Sequence, residues 1–327
     1  MELLKAILIL VIGFVLLIKG ADFFVEGSSS VAKKFHVPAM LIGMTIVAMG
    51  TSLPECAVSV TASLANNNSL AVSNVIGSNI FNLMVVCGAC ALFSPLTIRQ
   101  DTLKKEFPLS IICAALMLVL GYIGMTLGHI DGIIFLVLFV GYLLWMIQSA
   151  KKARAAVLSD PAQSGQIEQA EFVEENIAIL PTWKSLVFII GGMIAIKFGG
   201  DFVVDGASSI ASSMGLSQTL IGLTIVALGT SLPELVTSIV AAKKNEVDMA
   251  LGNVIGSNIF NILLVLGVAG AISPVAFVTE NLIDIAILVV MSVVVWIFAW
   301  SKKKLVNWHG AVMLVSYVAY LVYICIR

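Results

Sequence analysis

The segment Gly50-Thr-Ser-Leu-Pro-Glu55 occurs twice in this chain, and its second copy is Gly229-Thr-Ser-Leu-Pro-Glu234. A second matching pair has the same spacing of 179 residues: Asn74-Val-Ile-Gly-Ser-Asn-Ile-Phe-Asn82 and Asn253-Val-Ile-Gly-Ser-Asn-Ile-Phe-Asn261. An ungapped alignment that spans both pairs is identical at 38 of 76 positions. We therefore expect two copies of one structural unit.

The composition indicates that both copies lie in a membrane. Hydrophobic residues make up 60% of the 327 residues and charged residues 11%, and the mean hydropathy is +1.07. Globular chains are roughly 45–50% apolar and about 25% charged, so this chain has too few polar side chains to cover a water-facing surface. A secreted disulfide scaffold, a nucleic-acid binder and a cytosolic enzyme are excluded.

Polar clusters divide the chain into ten apolar segments, each long enough to provide the ~20 residues that a membrane-spanning helix needs. Helices are expected because an open sheet edge cannot face lipid. The sequence predicts an all-α membrane protein with ten transmembrane helices, arranged as two inverted five-helix repeats. The repeats are predicted at 1–150 and 182–327, joined by a flexible cytoplasmic linker at 151–181. The ten segments are 3–31, 38–65, 70–95, 107–127, 130–150, 183–211, 217–242, 247–272, 280–300 and 307–326.

The basic residues predict the orientation of the helices. Of the 18 Lys and Arg residues, 14 lie in or beside the odd-numbered loops. Loops rich in Lys and Arg face the cytoplasm, so both termini are expected outside. We therefore expect a multi-pass protein of the inner, or plasma, membrane.

The lysines also indicate that the two repeats are inverted relative to each other. Lys33-Lys34 in the first repeat corresponds to Ser212-Ser213 in the second. In the next loop the basic pair lies in the second repeat instead, because Lys243-Lys244 corresponds to Leu64-Ala65 in the first. An odd number of helices per repeat has the same consequence. Inverted repeats are typical of alternating-access transporters, which bind their substrate near the membrane midplane.

Glu55 and Glu234 are the strongest candidates for a binding site. Each lies mid-span without a neighbouring Lys or Arg, where a carboxylate costs roughly 2.5–3.5 kcal/mol. The preceding residues, Pro54 and Pro233, each remove a helical hydrogen-bond donor and displace the carbonyl four residues earlier. We expect the helices to unwind there and to expose carbonyl oxygens at the depth of the glutamates.

Further oxygen ligands are expected close to the two glutamates. Thr51 and Thr230 lie four residues before them and share their helical face. In the next helix of each repeat, polar residues at every fourth position line one face. These residues are Asn74, Ser78, Asn82, Asn253, Ser257 and Asn261. Carboxylate, hydroxyl, amide and carbonyl oxygens suit Ca²⁺, Mg²⁺ or Na⁺ rather than zinc or copper.

Contacts between helices are the alternative explanation for these polar residues. Ser, Thr and Asn side chains often hydrogen-bond across membrane helices, which accounts for the serines and for Asn79 or Asn258. Two symmetry-related, unpaired carboxylates beside helix breakers are not explained in this way. The ion-site interpretation is therefore favoured.

Each repeat also carries a weaker acidic pair in its first helix. These residues are Asp22 and Glu26, and Asp201 and Asp205. Lys19 and Lys197 lie three and four residues before the first aspartate of each pair, so ion pairs within the helix can neutralise the charge. A structural or hinge role is favoured over a route for ions.

The paired motifs resemble the two alpha-repeats of the cation/calcium antiporters, and most closely those of the prokaryotic sodium/calcium exchangers. The resemblance covers the whole chain apart from the linker. It implies a secondary transporter rather than an enzyme, with Ca²⁺ and Na⁺ as substrates, a role in calcium homeostasis, no cofactor and no nucleic-acid partner. It also implies that the long first helix of each repeat slides across a central core.

The same resemblance assigns the ligands. Glu55 and Glu234 would bind calcium together with the backbone oxygens of Thr51 and Thr230. The residues that complete the sites for the coupling ion would be Ser52, Ser78, Asn82, Ser231, Ser257 and Asn261.

One departure from the family pattern concerns charge. Family members often carry an aspartate at one of the positions of Asn82 and Asn261, whereas this chain has asparagine at both. The site then carries at most two negative charges, from Glu55 and Glu234. One Ca²⁺, two Na⁺ or two protons would neutralise it.

The sequence favours Ca²⁺ export in exchange for Na⁺ and leaves alternatives open. A proton-coupled calcium antiporter is the nearest, because a glutamate that exchanges its proton would serve equally well. A divalent-cation channel could use the same ligands, although inverted repeats with broken helices argue against it. An intramembrane enzyme is more remote, because no metal-binding His or nucleophile accompanies the carboxylates. No nucleotide-binding motif suggests a pump.

Overall fold

A computed structural model describes residues 2–65, 68–159, 179–215 and 227–326, and this part of the chain is almost entirely helical. The predicted all-helical membrane protein is confirmed. The helices are α1 (Glu2–Phe35), α2 (Ala39–Thr51), α3 (Leu53–Leu64), α4 (68–93), α5 (Phe107–Tyr122), α6 (His129–Ser159), α7 (Thr182–Ser213), α8 (Ala227–Gly229), α9 (Leu232–Lys243), α10 (Val247–Ile272), α11 (Thr279–Lys302) and α12 (Asn307–Ile326).

These helices overlap all ten apolar segments predicted from the sequence. Among the described residues, seven helices are long and apolar enough to cross a membrane, and the bent pair α2–α3 would make an eighth. Helix α5 is shorter, with 16 residues, and follows a π-helical turn at Thr102–Glu106. The first part of the seventh predicted segment, 216–226, lies outside the described residues.

Helix α6 extends into the segment 151–181 that is predicted as a linker. Helix α6 continues to Ser159, nine residues past the predicted boundary at 150. At the other end, the buried Leu180 donates its backbone N–H to Ser30 Oγ at 2.8 Å, which fixes this residue to α1. The rest of the predicted linker, residues 160–178, lies outside the described part of the chain.

Helices α1 and α7 pack against each other in antiparallel directions through small residues at every seventh position. The facing pairs are Ala6 and Gly206, Gly13 and Gly199, Gly20 and Gly192, and Gly27 and Ser185. A methyl group on Gly13 would lie 2.9 Å from the Gly199 carbonyl oxygen, and one on Gly192 would lie 2.7 Å from that of Gly20. The two backbones are therefore too close for larger side chains, as in other membrane helix pairs that associate through small residues.

Four two-residue strands join the two repeats crosswise. Strand β1 (Leu96–Thr97) pairs with β4 (Lys304–Leu305), and β2 (Thr126–Leu127) pairs with β3 (Val275–Ala276), both in antiparallel directions. At an offset of 179 residues, β1 corresponds to β3, and β2 corresponds within one residue to β4. The second pair therefore repeats the first with the two halves exchanged, which is the pattern of contacts that a two-fold relation produces.

Substitution of two adjacent glycines tests the close packing of α1 and α7. Gly192→Ala places a methyl group 2.7 Å from the backbone of α1 and should destabilise the protein by about 1–3 kcal/mol. A methyl group on Gly191 would meet no atom of another packed side chain or helix within 4 Å in the described structure. Gly191→Ala should therefore leave stability unchanged or raise it slightly. Thermal unfolding in detergent measures both, and equal melting temperatures would contradict this packing.

Candidate cation-binding site

The span that carries the first glutamate is broken at Ser52. Helix α2 ends at Thr51, α3 begins with Pro54 in its first turn, and the two axes are bent by 49°. In the second repeat, α9 begins in the same way after Ser231, with Pro233 in its first turn. The predicted unwinding beside the prolines is confirmed, because a proline is tolerated in the first turn of a helix but not in its interior.

Glu55 and Glu234 occupy the first turns of α3 and α9, and both are completely buried (0% exposed). The N-terminal end of a helix carries a partial positive charge, which stabilises a carboxylate there. Neither glutamate forms an ion pair with any described Lys, Arg or His. In the described part of the chain, no three His, Cys, Asp or Glu side chains come together.

Each glutamate is contacted by the helix break of the opposite repeat. Ser52 Oγ donates to Glu234 Oε1 at 2.8 Å, and Ser231 Oγ donates to Glu55 Oε1 at 3.1 Å. Ser231 Oγ also lies 3.1 Å from Ser78 Oγ. The two carboxylates are therefore held at the interface between the repeats. The two serine–glutamate bonds are equivalent under the two-fold relation between the repeats.

The threonines differ from the expectation based on helical spacing. A continuous helix would place Thr51 on the face of Glu55, but Thr51 Oγ1 lies 3.0 Å from Asn253 Oδ1 and next to Glu234. Thr230 in turn lies next to Glu55. The break after Thr51 ends the regular helical spacing, so each threonine faces the glutamate of the other repeat.

Several buried polar atoms in this region have no hydrogen-bond partner among the described residues. Among them are Glu55 Oε2, Glu234 Oε2, Asn261 Oδ1 and both polar side-chain atoms of Asn82, whereas the hydroxyls of Thr230 and Ser257 lie beside Glu55 and Glu234. Of the ten predicted ligands, nine are buried and Thr230 is partly buried. Buried polar groups are normally paired. An unpaired set composed mainly of oxygens matches the ligands that Ca²⁺ prefers.

A second set of residues holds the glutamate-bearing helices in position. Asn74 Nδ2 donates to Ser59 Oγ at 2.9 Å and to the Glu55 carbonyl oxygen at 3.2 Å. Asn253 makes the equivalent bonds to Ser238 Oγ at 2.9 Å and to the Glu234 carbonyl at 3.4 Å. Ser59 and Ser238 were not predicted from the sequence, although each follows its glutamate by four residues on the same helical face.

The next helices contact each other through a reciprocal pair of amides. Asn79 Nδ2 donates to the Asn258 carbonyl oxygen at 3.2 Å, and Asn258 Nδ2 donates to the Asn79 carbonyl oxygen at 3.1 Å. The helix-contact role considered for these residues is confirmed. Three residues further on, π-helical turns begin at Asn82 and Asn261. Such turns are frequent at functional sites, and the apolar pattern of the sequence did not predict them.

Asp22 in α1 and Asp201 in α7 form the predicted ion pairs. Lys19 Nζ lies 3.8 Å from Asp22 Oδ2, and Lys197 pairs with Asp201. Asp22 Oδ1 also lies 3.4 Å from Lys244 Nζ, which connects α1 to the end of α9. No hydrogen bond joins these aspartates to Glu55 or Glu234 among the described residues.

Comparisons with known proteins agree with the fold and the motifs. The sequence profile of the family described as "Sodium/calcium exchanger protein" matches residues 5–148 and 184–326. The chain is 44% identical to the putative antiporter CaxA of Alkalimonas amylolytica, over 83% of this chain and 82% of that protein. It is 32% identical to the sodium/calcium exchanger MaX1 of Methanosarcina acetivorans, over 96% of this chain and 97% of that protein.

A solved structure is similar over nearly the whole chain. It is the sodium-calcium exchanger NCX_Mj soaked with 2.5 mM Na⁺ and 0.1 mM Ca²⁺, with a TM-score of 0.82 and 34% sequence identity. The match covers 97% of this chain and 98% of that one. Because the family profile and these relatives match most of its length, the protein belongs to the sodium/calcium exchanger family of multi-pass membrane transporters.

Proposed function

We propose that this protein is a secondary active antiporter that exports Ca²⁺ in exchange for Na⁺ by alternating access. The observation that carries the proposal is the pair of buried glutamates, Glu55 and Glu234. Each has one oxygen bonded to a serine of the opposite repeat and one oxygen without a partner in the described structure. Unpaired charges inside a membrane protein are expensive and usually functional.

Ten transmembrane helices in two inverted repeats form the framework of this proposal. The first repeat comprises residues 1–150 and the second comprises 182–327, with a cytoplasmic linker between them and both termini outside. The equivalent helices α1 and α7 pack in antiparallel directions. A two-fold axis that relates antiparallel membrane helices lies in the membrane plane, which supports inversion. The exchange of basic residues between equivalent corners supports it independently.

The charge of the site supports exchange between one divalent and two monovalent cations. Glu55 and Glu234 bind Ca²⁺ together with the backbone oxygens of Thr51 and Thr230. The coupling ions use the hydroxyl and amide oxygens of Ser52, Ser78, Asn82, Ser231, Ser257 and Asn261. Two negative charges are neutralised by either cargo, so the loaded site crosses the membrane without net charge in both directions.

The helix pair α1–α7 is the moving part in this proposal. Its close backbone contacts make the two helices one rigid unit, which slides over the core formed by the other helices. Gly50 supports this arrangement, because a methyl group there would lie 2.8 Å from the Phe24 ring of α1. A larger side chain at this position would obstruct the movement of α1 over the core.

Two named relatives support sodium as the coupling ion. MaX1 is called a sodium/calcium exchanger, and NCX_Mj is called a sodium-calcium exchanger and was soaked with Na⁺ and Ca²⁺. Proton coupling is the second candidate. Asparagine at both 82 and 261 favours it, because the site then has only two carboxylates. Two protons, one bound to each glutamate, would neutralise these carboxylates.

The direct test is uptake of ⁴⁵Ca²⁺ into proteoliposomes that contain the purified protein. Uptake should be driven by an outward sodium gradient and absent from potassium-loaded vesicles with an imposed pH gradient. Uptake driven by the proton gradient alone would establish proton coupling instead. Uptake that needs neither gradient would identify a channel and contradict alternating access.

Removal of one carboxylate tests the site. Glu55→Gln or Glu234→Gln should lower calcium uptake by at least about 100-fold, because each loses a charged ligand without a substitute in a buried site. Asp101→Asn is the matched control, since it removes a carboxylate from an exposed ion pair with Lys105 and should transport normally. Retained flux in either glutamine variant would exclude that glutamate as an essential ligand.

Addition of a carboxylate tests the charge argument. Asn261→Asp gives the site a third acidic group, which can balance a further monovalent ion. The dependence of calcium uptake on sodium concentration should become steeper, or the pH profile should shift. A sodium dependence and a pH profile identical to those of the unmodified protein would contradict the proposed role of charge at this position.

A further inference from the structure

The two asparagines that begin the π-helical turns have different surroundings. Asn261 Nδ2 donates to Asn79 Oδ1 at 3.1 Å. The corresponding bond in the other half, from Asn82 to Asn258 Oδ1, is not formed. Both polar side-chain atoms of Asn82, and Asn258 Oδ1, lack a partner within the described residues. The two-fold relation that governs the glutamates and serines is therefore broken at this point.

A backbone carbonyl determines the orientation of both amides. The carbonyl oxygen of Asn258 can only accept a hydrogen bond, so the Asn79 atom beside it, at 3.2 Å, is Nδ2. Asn79 Oδ1 then points the other way, towards Asn261. An acceptor requires a donor, so Asn261 presents its Nδ2 to Asn79. The orientation of Asn261 thus follows from a chain of hydrogen bonds that begins at the main chain.

The consequence is a fixed, neutral oxygen at position 261. Asn261 Oδ1 lies on the opposite side of the amide from Asn79 and is buried without a partner in the described structure. The π-helical turn that begins at Asn261 packs against α3, the helix that carries Glu55. Asn82, by contrast, has a side chain that no hydrogen bond constrains among the described residues.

We propose that Asn79 is a positioning residue that holds the Asn261 amide oxygen ready to bind the coupling ion and selects a neutral amide at that position. A carboxylate at 261 would place an oxygen against Asn79 Oδ1. Reversal of the Asn79 amide would not relieve this contact, because its oxygen would then face the Asn258 carbonyl. This inference rests on the proposed antiport function and assigns Asn79 a role beyond its contact with Asn258.

The matched control is Asn258, the symmetry-related residue. Asn79→Ala and Asn258→Ala each remove one of the two reciprocal bonds to the opposite backbone. Only Asn79→Ala also removes the acceptor for Asn261. A purely structural role for the amide pair predicts equal effects of the two substitutions, whereas a positioning role predicts effects on ion affinity that differ.

The experiment is a pair of double-mutant cycles read out by sodium competition against ⁴⁵Ca²⁺ binding to the full-length protein in detergent. Asn79→Ala should raise the sodium concentration for half-displacement by about two- to tenfold, the value of one hydrogen bond, and Asn258→Ala by less than about twofold. In an Asn261→Ala background, Asn79→Ala should have no larger effect than Asn258→Ala, because only its bond to the Asn258 carbonyl is left to lose. Asn258→Ala and Asn82→Ala should combine additively, because no bond connects their side chains.

Two results would overturn the role of Asn79. One is an equal shift in Asn79→Ala and Asn258→Ala, and the other is an Asn79→Ala effect that stays undiminished in the Asn261→Ala background. Sodium-independent calcium flux in the unmodified protein would instead contradict the proposed function. Normal sodium-driven flux together with either of the two results would remove only the inference about Asn79.

A stability measurement keeps the test decisive if Asn79→Ala does not fold. Asn82→Asp disturbs no hydrogen bond of the described structure, whereas Asn261→Asp replaces the donor that faces Asn79 Oδ1 by a carboxylate oxygen. In sodium-free buffer, Asn261→Asp should therefore melt several degrees below Asn82→Asp. Equal melting temperatures would contradict the proposed selection of an amide.

Discussion

Two buried carboxylates, Glu55 and Glu234, have no basic partner among the described residues, and the surrounding structure compensates for them. A charged group at the bilayer centre costs roughly 2.5–3.5 kcal/mol, and here the cost arises twice. The helix breaks place Glu55 and Glu234 in first turns, where the partial positive charge of the helix end stabilises them. The serines at the breaks bond across the repeats. Neither repeat forms this environment alone, so the site is complete only when the two repeats are packed together.

Much of the fold could be predicted because membrane helices leave a strong signal in sequence. Apolar runs gave the helices, and Pro54 and Pro233 gave the breaks, since a proline cannot occupy a helix interior. The repeat identified Glu55 and Glu234 as equivalent positions. Helix α6, the fifth predicted segment, continues beyond residue 150 to Ser159. The residues in this extension are of mixed polarity, so their helical state depends on local propensity rather than on hydrophobicity.

The contacts between repeats could not be predicted, because equivalent sequences are compatible with several pairings. Spacing within one helix places Thr51 beside Glu55, yet the bend turns it towards Glu234. Whether a serine serves its own glutamate or the other depends on the packing of helices far apart in the chain. The different hydrogen bonding of Asn82 and Asn261 could not be predicted either, because the two residues lie in identical local sequences.

The crosswise strands have a consequence for the ancestry of the chain. Strand β1 pairs with β4 and β2 pairs with β3, so each strand of one half has its hydrogen-bonding partner in the other half. Two identical half-length chains related by a two-fold axis could make the same contacts. The protein thus has the architecture of a dimer whose subunits were duplicated and fused. Lysines at one corner of each half correspond to neutral residues at the equivalent corner of the other, so the two halves are no longer interchangeable.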